Sequence, residues 1–284
     1  MQIIKTVKEM QAISGKHRAA GETVACVPTM GYLHEGHISL ITRAKEIANI
    51  AVATLFVNPT QFAPNEDFSR YPRDFDRDCT LCEQAGLDYL FAPNETEMYP
   101  TGYNTEINIK GISDKFEGIF RPIHFNGVAT VVAKLFNAVR PDLAVFGQKD
   151  YQQTLVVKQM VRDMLMGVSI VVAPTVRESD GLAKSSRNIY LSPEQRQVAL
   201  TIFNALRGAM EAIESGEKRR KVINGIMHNI IRSAGAFQID YASSADASNL
   251  DEPEEFVSGQ KIVLIIAAYL GKTRLIDNHL ITIP

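Results

Sequence analysis

The chain has 284 residues, a formal net charge of −2 and 45% hydrophobic residues, a composition that allows a large buried core. With so little net charge we expect no broad electrostatic binding to nucleic acid or to an anionic membrane surface. The first residues, MQIIKTVKEM, lack the apolar core of a secretory signal, and the longest apolar run, 262–270, is too short to span a bilayer. We therefore expect a cytoplasmic protein.

Short apolar runs alternate with helical periodicity through the first three-fifths of the chain. Strands are predicted at 2–4, 23–27, 50–57, 88–91, 143–146 and 169–173. Helices are predicted near 7–20, 38–48, 74–85, 127–139 and 150–164. This alternation is typical of a Rossmann-like, doubly wound parallel sheet, in which ligands bind beyond the carboxyl ends of the strands.

The pattern changes after Pro174. Helical stretches at 193–214 and 217–234 precede strands near 237–242, 261–269 and 273–283, with an acidic, turn-rich stretch at 243–255. We predict a Rossmann-like domain over 1–175 and a smaller α+β domain over 176–284. Residues 177–188 would then lie at the junction, where closure of the second domain carries them onto a bound ligand.

The turn at 28–37, PTMGYLHEGH, places two histidines between a predicted strand and a predicted helix. Free backbone amides and the helix dipole attract phosphate at such a turn, and His34 and His37 share one helical face. The arrangement suits a nucleotide polyphosphate. Two other interpretations are histidines that only cap the helix, and zinc, for which HEGH is one residue short of HExxH and lacks an obvious third ligand.

A second segment that suits phosphate is Gly147-Gln148-Lys149-Asp150, directly after the predicted strand 143–146. Glycine permits a close approach to the backbone, and Lys149 supplies a point positive charge. Asp150 would cap the next helix or bind ribose hydroxyls. The alternative is a solvated helix cap without a ligand.

A third segment, 180–188, combines a turn with hydroxyl groups and a guanidinium. Ser185 and Ser186 can donate to phosphate oxygens. The planar guanidinium of Arg187 can stabilise negative charge as it moves onto pyrophosphate. The alternative is a polar interdomain linker.

The three cysteines form no disulfide framework. Cys79 and Cys82 form a C-x-x-C inside a predicted helix, without the context of a thioredoxin-type site, and Cys26 lies in an apolar strand. We assign chemistry to none of them.

Ordered segments over nearly the whole chain resemble the pantothenate synthetase family, the pantoate–β-alanine ligases of the HxGH nucleotidyltransferase superfamily. They are PTMGYLHEGH (28–37), LFVNPTQF (55–62), RYPRDFDRD (70–78), RPIHFNGVATVVAKLFN (121–137), VFGQKDYQQ (145–153), RESDGLAKSSRN (177–188) and AAYLGKTRLIDN (267–278). The resemblance implies an ATP-dependent ligase that condenses (R)-pantoate with β-alanine through pantoyl adenylate, releasing AMP and pyrophosphate. It also implies a homodimer.

The resemblance further implies the roles of individual residues. Charge at the reacting phosphorus would be stabilised by His34, His37, Lys149, Ser185, Ser186 and Arg187. ATP would also contact Met30, Gly31, Tyr32, Leu33, Glu35, Gly36, Gly147, Gln148, Asp150, Val176 and Lys184. Mg²⁺ is expected on the phosphates, with Asp78 as a helper and no metal site made by the protein alone.

The acid pocket is expected to consist of amides, which bind a carboxylate without a salt bridge that would reduce its nucleophilicity. Gln61 and Gln153 match family glutamines that hold pantoate, Gln61 also lies close to β-alanine, and Asn58 helps with the hydroxyls. Met30 and Phe62 would cover the two methyl groups. From the residues alone, either glutamine could equally be a structural cap.

Lys184 departs from the family, whose members usually have methionine or leucine before the two serines. A lysine here would point to solvent, reach the triphosphate or disturb packing near the adenine.

Two rival functions remain at this point. A nucleotidylyltransferase with the same HxGH signature would transfer AMP or CMP to a phosphorylated acceptor, and it would need cations for that phosphate where this chain offers paired glutamines. A non-catalytic nucleotide-binding module is the other rival, against which the intact His34, His37, Lys149 and Arg187 argue.

Overall fold

Within residues 1–64 and 66–284, which the computed structural model describes, six short runs form a parallel sheet. The strands are β1 (Gln2–Ile4), β2 (Val24–Thr29), β3 (Ile50–Leu55), β4 (Tyr89–Phe91), β5 (Leu143–Gly147) and β6 (Ser169–Ala173). They pair in the order β1-β4-β3-β2-β5-β6, and each neighbouring pair is parallel. The predicted Rossmann-like sheet is confirmed.

Helices cover both faces of this sheet. They include α1 (Val7–Ala19), α2 (Glu35–Ile47), α3 (Phe75–Gln84), α4 (Glu95–Met98), α6 (His124–Val139) and α7 (Tyr151–Asp163), while α5 (Glu117–Phe120) belongs to the second compact unit. Successive side chains of a strand point to opposite faces. Val24 and Cys26 of β2 thus join one core with Phe136 of α6, whereas Ala25 joins another with Ile41 of α2. Burial on both faces explains the continuous apolar runs of the central strands.

The chain order reverses beside β2. This strand pairs with β3 on one side and with β5 on the other, with Ala25 opposite Leu143. The carboxyl ends of β2 and β5 therefore border the topological switch point, where doubly wound sheets bind ligands. The histidine turn follows β2, and Gly147 ends β5.

The C-terminal residues form the predicted smaller α+β structure, which in the described part of the chain is a three-stranded antiparallel sheet with helices. Its elements are α8 (Pro193–Val198), α9 (Leu200–Glu214), α10 (Arg220–Ser233), β7 (Phe237–Asp246), β8 (Lys261–Leu270) and β9 (Thr273–Thr282), with the strands in the order β7-β8-β9. Leu206 of α9 and Met227 of α10 share a core with Leu264 of β8.

The described residues divide into two compact units. Unit 1 comprises Met1–Asp114, Arg121–Gln148 and Gln152–Pro174, and unit 2 comprises Lys115–Phe120, Lys149–Tyr151 and Thr175–Pro284. The sequence pattern did not indicate that the segments 115–120 and 149–151 join the C-terminal unit. The assignment of two folding domains, 1–175 and 176–284, remains a prediction. Among the described residues, no helix combines the length and apolar character needed to cross a membrane.

The structure corrects the predicted elements at their boundaries. Helix α2 begins at Glu35 rather than near 38, because His34 serves as its N-cap. The helix expected over 193–214 is two helices, since the pattern is interrupted at Ala199, whose backbone nevertheless keeps right-handed angles (φ −57°, ψ −25°). Strand β7 continues to Asp246, into the stretch expected to be a turn.

Candidate active site

The loop between β2 and α2 is bent by two consecutive left-handed residues, Gly31 (φ 85°) and Tyr32 (φ 51°). A side chain at position 31 would also lack space, because its Cβ would lie 3.0 Å from Asp78 Oδ2 and 3.1 Å from Leu55 Cδ2. Glycine adopts positive φ without strain. The sharp turn after β2 therefore depends on Gly31.

His34 and His37 form a capping box at the start of α2. The Gly36 amide donates to His34 Nδ1 at 3.1 Å, and the His34 amide donates to His37 Nδ1 at 3.3 Å. Their ring centroids lie 4.1 Å apart. Because both Nδ1 atoms accept hydrogen bonds, the neutral rings carry their proton on Nε2. Capping and phosphate binding are thus compatible, since the cap uses Nδ1 and places the ring proton on Nε2 of each histidine.

The loop between β2 and α2, here called the histidine loop, is held by the buried carboxylate of Asp78 in α3. Its Oδ2 accepts from the Tyr32 amide and its Oδ1 from the Leu33 amide, both at 2.7 Å, and Asp78 is only 1% exposed. Burial raises the pKa of this carboxyl above its ordinary value, although the two amides and Arg77 oppose the shift. Arg77 also donates to the Leu33 carbonyl at 2.8 Å, and its guanidinium lies 5.2 Å from the Tyr32 ring centroid.

Both carboxylate oxygens of Asp78 accept from backbone amides in a buried position, so Asp78 shapes the loop. The expectation that Asp78 also helps to hold Mg²⁺ stays a prediction. Among the described residues, no three His, Cys, Asp or Glu side chains are grouped as a metal site.

A buried amide cluster follows β3. Asn58 Nδ2 donates to Gln61 Oε1 at 3.2 Å and to the Gly127 carbonyl at 3.1 Å. Asn58 Oδ1 accepts from Tyr99 Oη at 2.7 Å and from Thr60 Oγ1 at 3.1 Å. Asn58 is 1% exposed, and these four bonds use its two donors and two acceptor lone pairs. The side chain expected to bind hydroxyls is thus committed to orienting Gln61.

Gln61 presents its amide nitrogen toward the histidine loop. Its Oε1 accepts from Asn58, so the network fixes which end of the amide is Nε2, and Nε2 lies 3.1 Å from Met30 Sδ. A thioether is a weak acceptor that a carboxylate oxygen readily replaces. The structure thus brings Met30 and Gln61 together, as the predicted pantoate site requires.

The backbone at Gln61 is held by helix α6. A Cβ at Gly127 would lie 2.6 Å from Gln61 Cα, so only glycine allows α6 this close. His124 Nδ1 donates to the Gln61 carbonyl at 3.2 Å, and Arg121, which also approaches that carbonyl at 3.4 Å, is ion-paired with Glu66 at 2.7 Å. Although burial opposes it, the bonded Arg121 lowers the pKa of Glu66.

Residue chemistry alone indicated no role for Tyr99, Arg121, His124 or Gly127. The segment 121–137 was recognised only through its resemblance, but the signal was present in RPIHFNG, which combines a cation, a histidine and a glycine at the start of a long apolar helix. Such residues at a helix N-terminus indicate close packing against a neighbouring polar turn.

Gln153 and Phe62 lie in unit 1 at separate elements. Gln153, on the first turn of α7, is half-buried and makes no side-chain hydrogen bond with any residue the structure describes, whereas its neighbour Gln152 donates to the Ile112 carbonyl at 2.8 Å. Phe62 is buried against Phe68, with ring centroids 5.4 Å apart.

The segment after β5 is divided between the units, with Gly147 and Gln148 in unit 1 and Lys149 and Asp150 in unit 2. Lys149 is half-buried and its ammonium forms no ion pair with any described residue. Asp150 is exposed at the end of a short 3₁₀ turn. An unneutralised lysine on a fixed turn is suited to an anionic ligand.

The segment expected to be a junction loop is a small hairpin in unit 2. Arg177 pairs with Ala183, and the Lys184 amide donates to the Val176 carbonyl at 3.0 Å. Ser185 follows directly and caps a 3₁₀ turn over Ser186–Tyr190 by accepting from the Arg187 amide at 3.3 Å. The two serines and Arg187 are half-buried. The hairpin thus delivers 185–187 as one ordered unit.

Lys184 forms an ion pair across this hairpin. Its Nζ lies 3.4 Å from Glu178 Oε2, and its side chain is 17% exposed. The sequence suggested that Lys184 points to solvent, reaches the triphosphate or disturbs packing near the adenine, and it did not indicate a pair with Glu178. The pair explains how a lysine is accommodated where the resemblance leads us to expect an apolar residue, because the charge is neutralised within the hairpin.

The thiols lack the features of reactive cysteines. Burial, then neighbouring carboxylates such as Asp78, raise the pKa of Cys82 to about 12, and the pKa of Cys79 is raised for the same reasons. Burial also raises the pKa of Cys26. A reactive cysteine requires the opposite shift.

Comparisons with known proteins point to one family. The family model described as pantoate-beta-alanine ligase matches residues 2–280. A pantothenate synthetase of Moorella thermoacetica is 48% identical over 278 residues, which cover 98% of both chains, and one of Acetivibrio thermocellus is 46% identical over the whole of both.

Solved structures give the same result. Pantothenate synthetase from Thermus thermophilus superposes with a TM-score of 0.92 at 44% identity, covering 98% of this chain and 99% of that one. Pantoate-beta-alanine ligase from Francisella tularensis, complexed with beta-gamma ATP and beta-alanine, has a TM-score of 0.79 at 33% identity, covering 99% and 97%.

Proposed function

Because the chain belongs to the pantoate–β-alanine ligase family, we propose that it condenses (R)-pantoate with β-alanine using ATP, through a pantoyl adenylate. The observation that carries this proposal is the histidine capping box at the end of β2 beside the Gln61 amide, within one unit. It combines donors suited to a phosphate with a neutral pocket suited to a carboxylate.

In the first step the pantoate carboxylate attacks the α-phosphorus of ATP and pyrophosphate leaves. The Nε2–H groups of His34 and His37, at a helix N-terminus, donate to phosphate oxygens as negative charge accumulates on them. Lys149, Ser185, Ser186 and Arg187 of unit 2 stabilise the phosphate chain and the departing pyrophosphate. The remaining ATP contacts are Met30, Gly31, Tyr32, Leu33, Glu35, Gly36, Gly147, Gln148, Asp150 and Val176. Lys184, which pairs with Glu178, contributes little to ATP affinity.

Neutral amides hold pantoate during this step. Gln61 Nε2, which Asn58 orients, donates to the carboxylate, and Gln153 contributes a second amide from α7. A cation in their place would stabilise the carboxylate before attack and raise the barrier. Met30 and Phe62 face the methyl groups.

In the second step the β-alanine amine attacks the activated carbonyl. The C–N bond of pantothenate forms, the carboxylate oxygen that carries the phosphorus leaves with AMP, and the proton lost from the amine nitrogen passes to solvent water. Gln61 positions β-alanine as well as pantoate. No protein nucleophile is required, and the protein contributes to this step by holding both reactants in place.

Mg²⁺ enters as part of the ATP substrate, held by phosphate oxygens and water. The implied oligomer is a homodimer. The implied location is the cytoplasm, where both substrates of a biosynthetic ligase and ATP are available. The homodimer is implied by the resemblance, and sedimentation of the purified protein measures it. The HxGH nucleotidylyltransferase alternative is not favoured, because the family match covers residues 2–280.

Isotope exchange tests the proposed function. With pantoate present and β-alanine absent, the protein should exchange labelled pyrophosphate into ATP, whereas a binding module exchanges nothing and a nucleotidylyltransferase requires a phosphorylated acceptor. In complete turnover with pantoate carrying ¹⁸O in its carboxylate, one labelled oxygen should appear in AMP. Label confined to pantothenate or found in inorganic phosphate would rule out the acyl adenylate.

A further inference from the structure

The end of the last segment that resembles the family, RLIDN (274–278), has no role in the reaction described so far. It lies on β9, where Asp277 is 4% exposed and Asn278 is 2% exposed. Polar side chains buried this deeply require partners, because an unsatisfied buried polar group destabilises the fold. The partners of these two residues lie in the two segments of unit 2 assigned to phosphate binding.

Asp277 is paired with the base of the 176–184 hairpin. Its carboxylate accepts two hydrogen bonds from the Arg177 guanidinium, at 2.6 and 2.9 Å. Arg177 also donates to the Gly181 carbonyl at 3.0 Å, within the hairpin turn, and lies 4.7 Å from the Phe203 ring centroid. A bidentate pair fixes orientation as well as distance. The hairpin that leads into Ser185 is therefore anchored to β9.

Asn278 is bonded to the other segment. Its Nδ2 donates to the main-chain carbonyl of Lys149 at 2.9 Å. Lys149 lies in a single 3₁₀ turn between β5 and α7, so a bond to its carbonyl fixes the backbone from which the ammonium extends. Successive strand residues point to opposite faces, which allows adjacent residues to hold different segments.

We propose that Asp277 and Asn278 are positioning residues for adenylation. From one strand, β9, they fix the 185–187 turn and Lys149 in position relative to each other. The proposal rests on the function proposed above for Lys149 and Arg187. Neither Asp277 nor Asn278 contacts the reacting atoms. Their contribution is geometric, and a displacement of about 1 Å at a positioning group can reduce a rate about 100-fold.

The test measures adenylation and the reaction with β-alanine separately in the Asn278→Ala variant. Single-turnover formation of pantoyl adenylate should slow about 10- to 100-fold. The reaction of supplied pantoyl adenylate with β-alanine should change less than about threefold, because no phosphate chain remains to be positioned. Leu275→Ala, a core residue of the same strand, is the matched control and should affect both half-reactions equally. Equal loss in both half-reactions of the Asn278 variant would overturn the proposal.

Double-mutant cycles identify the route of each effect. If Asn278 acts through Lys149, adding Asn278→Ala to the Lys149→Ala variant should slow adenylation by less than about a further threefold. Likewise, adding Asp277→Asn to the Arg187→Ala variant should slow adenylation by less than about a further threefold. Additive losses would contradict the proposal. If Asn278→Ala does not fold, Asn278→Ser, with a shorter donor, is measured in both the single-variant and the double-mutant experiments.

The same experiment distinguishes this inference from the proposed function. If Lys149→Ala leaves adenylation unchanged, the role proposed for Lys149 is wrong and Asn278 has nothing to position. If Lys149→Ala slows adenylation but Asn278→Ala does not, only the positioning role is wrong.

Discussion

The two regions assigned to phosphate binding are held in place by different means. In unit 1 the histidine loop is fixed by buried groups from several elements, including Gly31, Asp78 and the capping box of α2. In unit 2 Leu182 and Ala183 of the hairpin leading to Ser185 are buried, and the base of the hairpin is anchored by the ion pair between Arg177 and Asp277. The neutral histidine donors thus lie on a loop held by backbone hydrogen bonds to Asp78, and the cation Arg187 follows a hairpin held by an ion pair.

This difference agrees with the energetics of the groups concerned. A neutral imidazole donor is effective only at a fixed distance and angle, whereas the attraction of a cation for phosphate falls slowly with distance. We therefore expect anchors in unit 1 to affect the chemical step, whereas Lys184, whose charge is paired with Glu178, should affect ATP affinity only weakly. Four substitutions test this expectation.

The largest effect is expected for His34→Asn. Asparagine is among the best N-cap residues, so the helix should keep its cap while the Nε2–H donor is lost. Adenylation should fall by on the order of 10²–10³, with little change in thermal stability. His34→Ala is the comparison and should lose a further ~1 kcal/mol of stability. Normal single-turnover adenylation in folded His34→Asn would show that the histidine is only a cap.

A smaller effect is expected for Asp78→Asn. One oxygen remains to accept from Tyr32 or Leu33, but the amide group would place a donor against the other backbone N–H. The free energy of unfolding should fall by about 1–3 kcal/mol and adenylation by about 10-fold or more. Urea unfolding and single-turnover kinetics measure the two quantities. The Mg²⁺ concentration that gives half-maximal adenylation should not change. An increase would show that Asp78 helps to hold Mg²⁺.

Gly127→Ala tests the amide cluster by displacement rather than by removal of a polar group. The added Cβ would lie 2.6 Å from Gln61 Cα, so the 59–61 turn must move and overpacking should cost about 1–3 kcal/mol. KM for pantoate should rise by roughly tenfold while KM for ATP changes less. Gly225→Ala, in α10 with no atom within 4 Å of the added Cβ, is the matched control. An equal rise in both KM values would contradict separate anchoring of the pantoate site.

The smallest effect is expected for Lys184→Met. Because Lys184 already pairs with Glu178, its loss should change stability by no more than about 1 kcal/mol and the ATP dissociation constant by less than about threefold. Titration with ATP at two salt concentrations measures this. A tenfold or larger rise that disappears at high salt would show that Lys184 reaches the triphosphate.

Local signals were sufficient for most of the fold. The six parallel strands were predicted by the apolar runs at 2–4, 23–27, 50–57, 88–91, 143–146 and 169–173 and by the helical periodicity between them, since buried strands and amphipathic helices differ in period. The start of α2 was missed because histidine is an unusual N-cap, and its capping role depends on ring geometry. The C-terminal sheet was also recognised from its apolar runs.

The sequence by itself determined which chemistry was available: a histidine pair at a strand-to-helix turn, neutral glutamines, and the lysine, serines and arginine of two later segments. Only the tertiary structure decided what each polar group contacts. It committed Asn58 to Gln61, Asp78 to the Tyr32 and Leu33 amides, and Lys184 to Glu178. These partners come from hydrogen-bond geometry and burial between residues 3 to 46 positions apart, which neither periodicity nor motif spacing encodes.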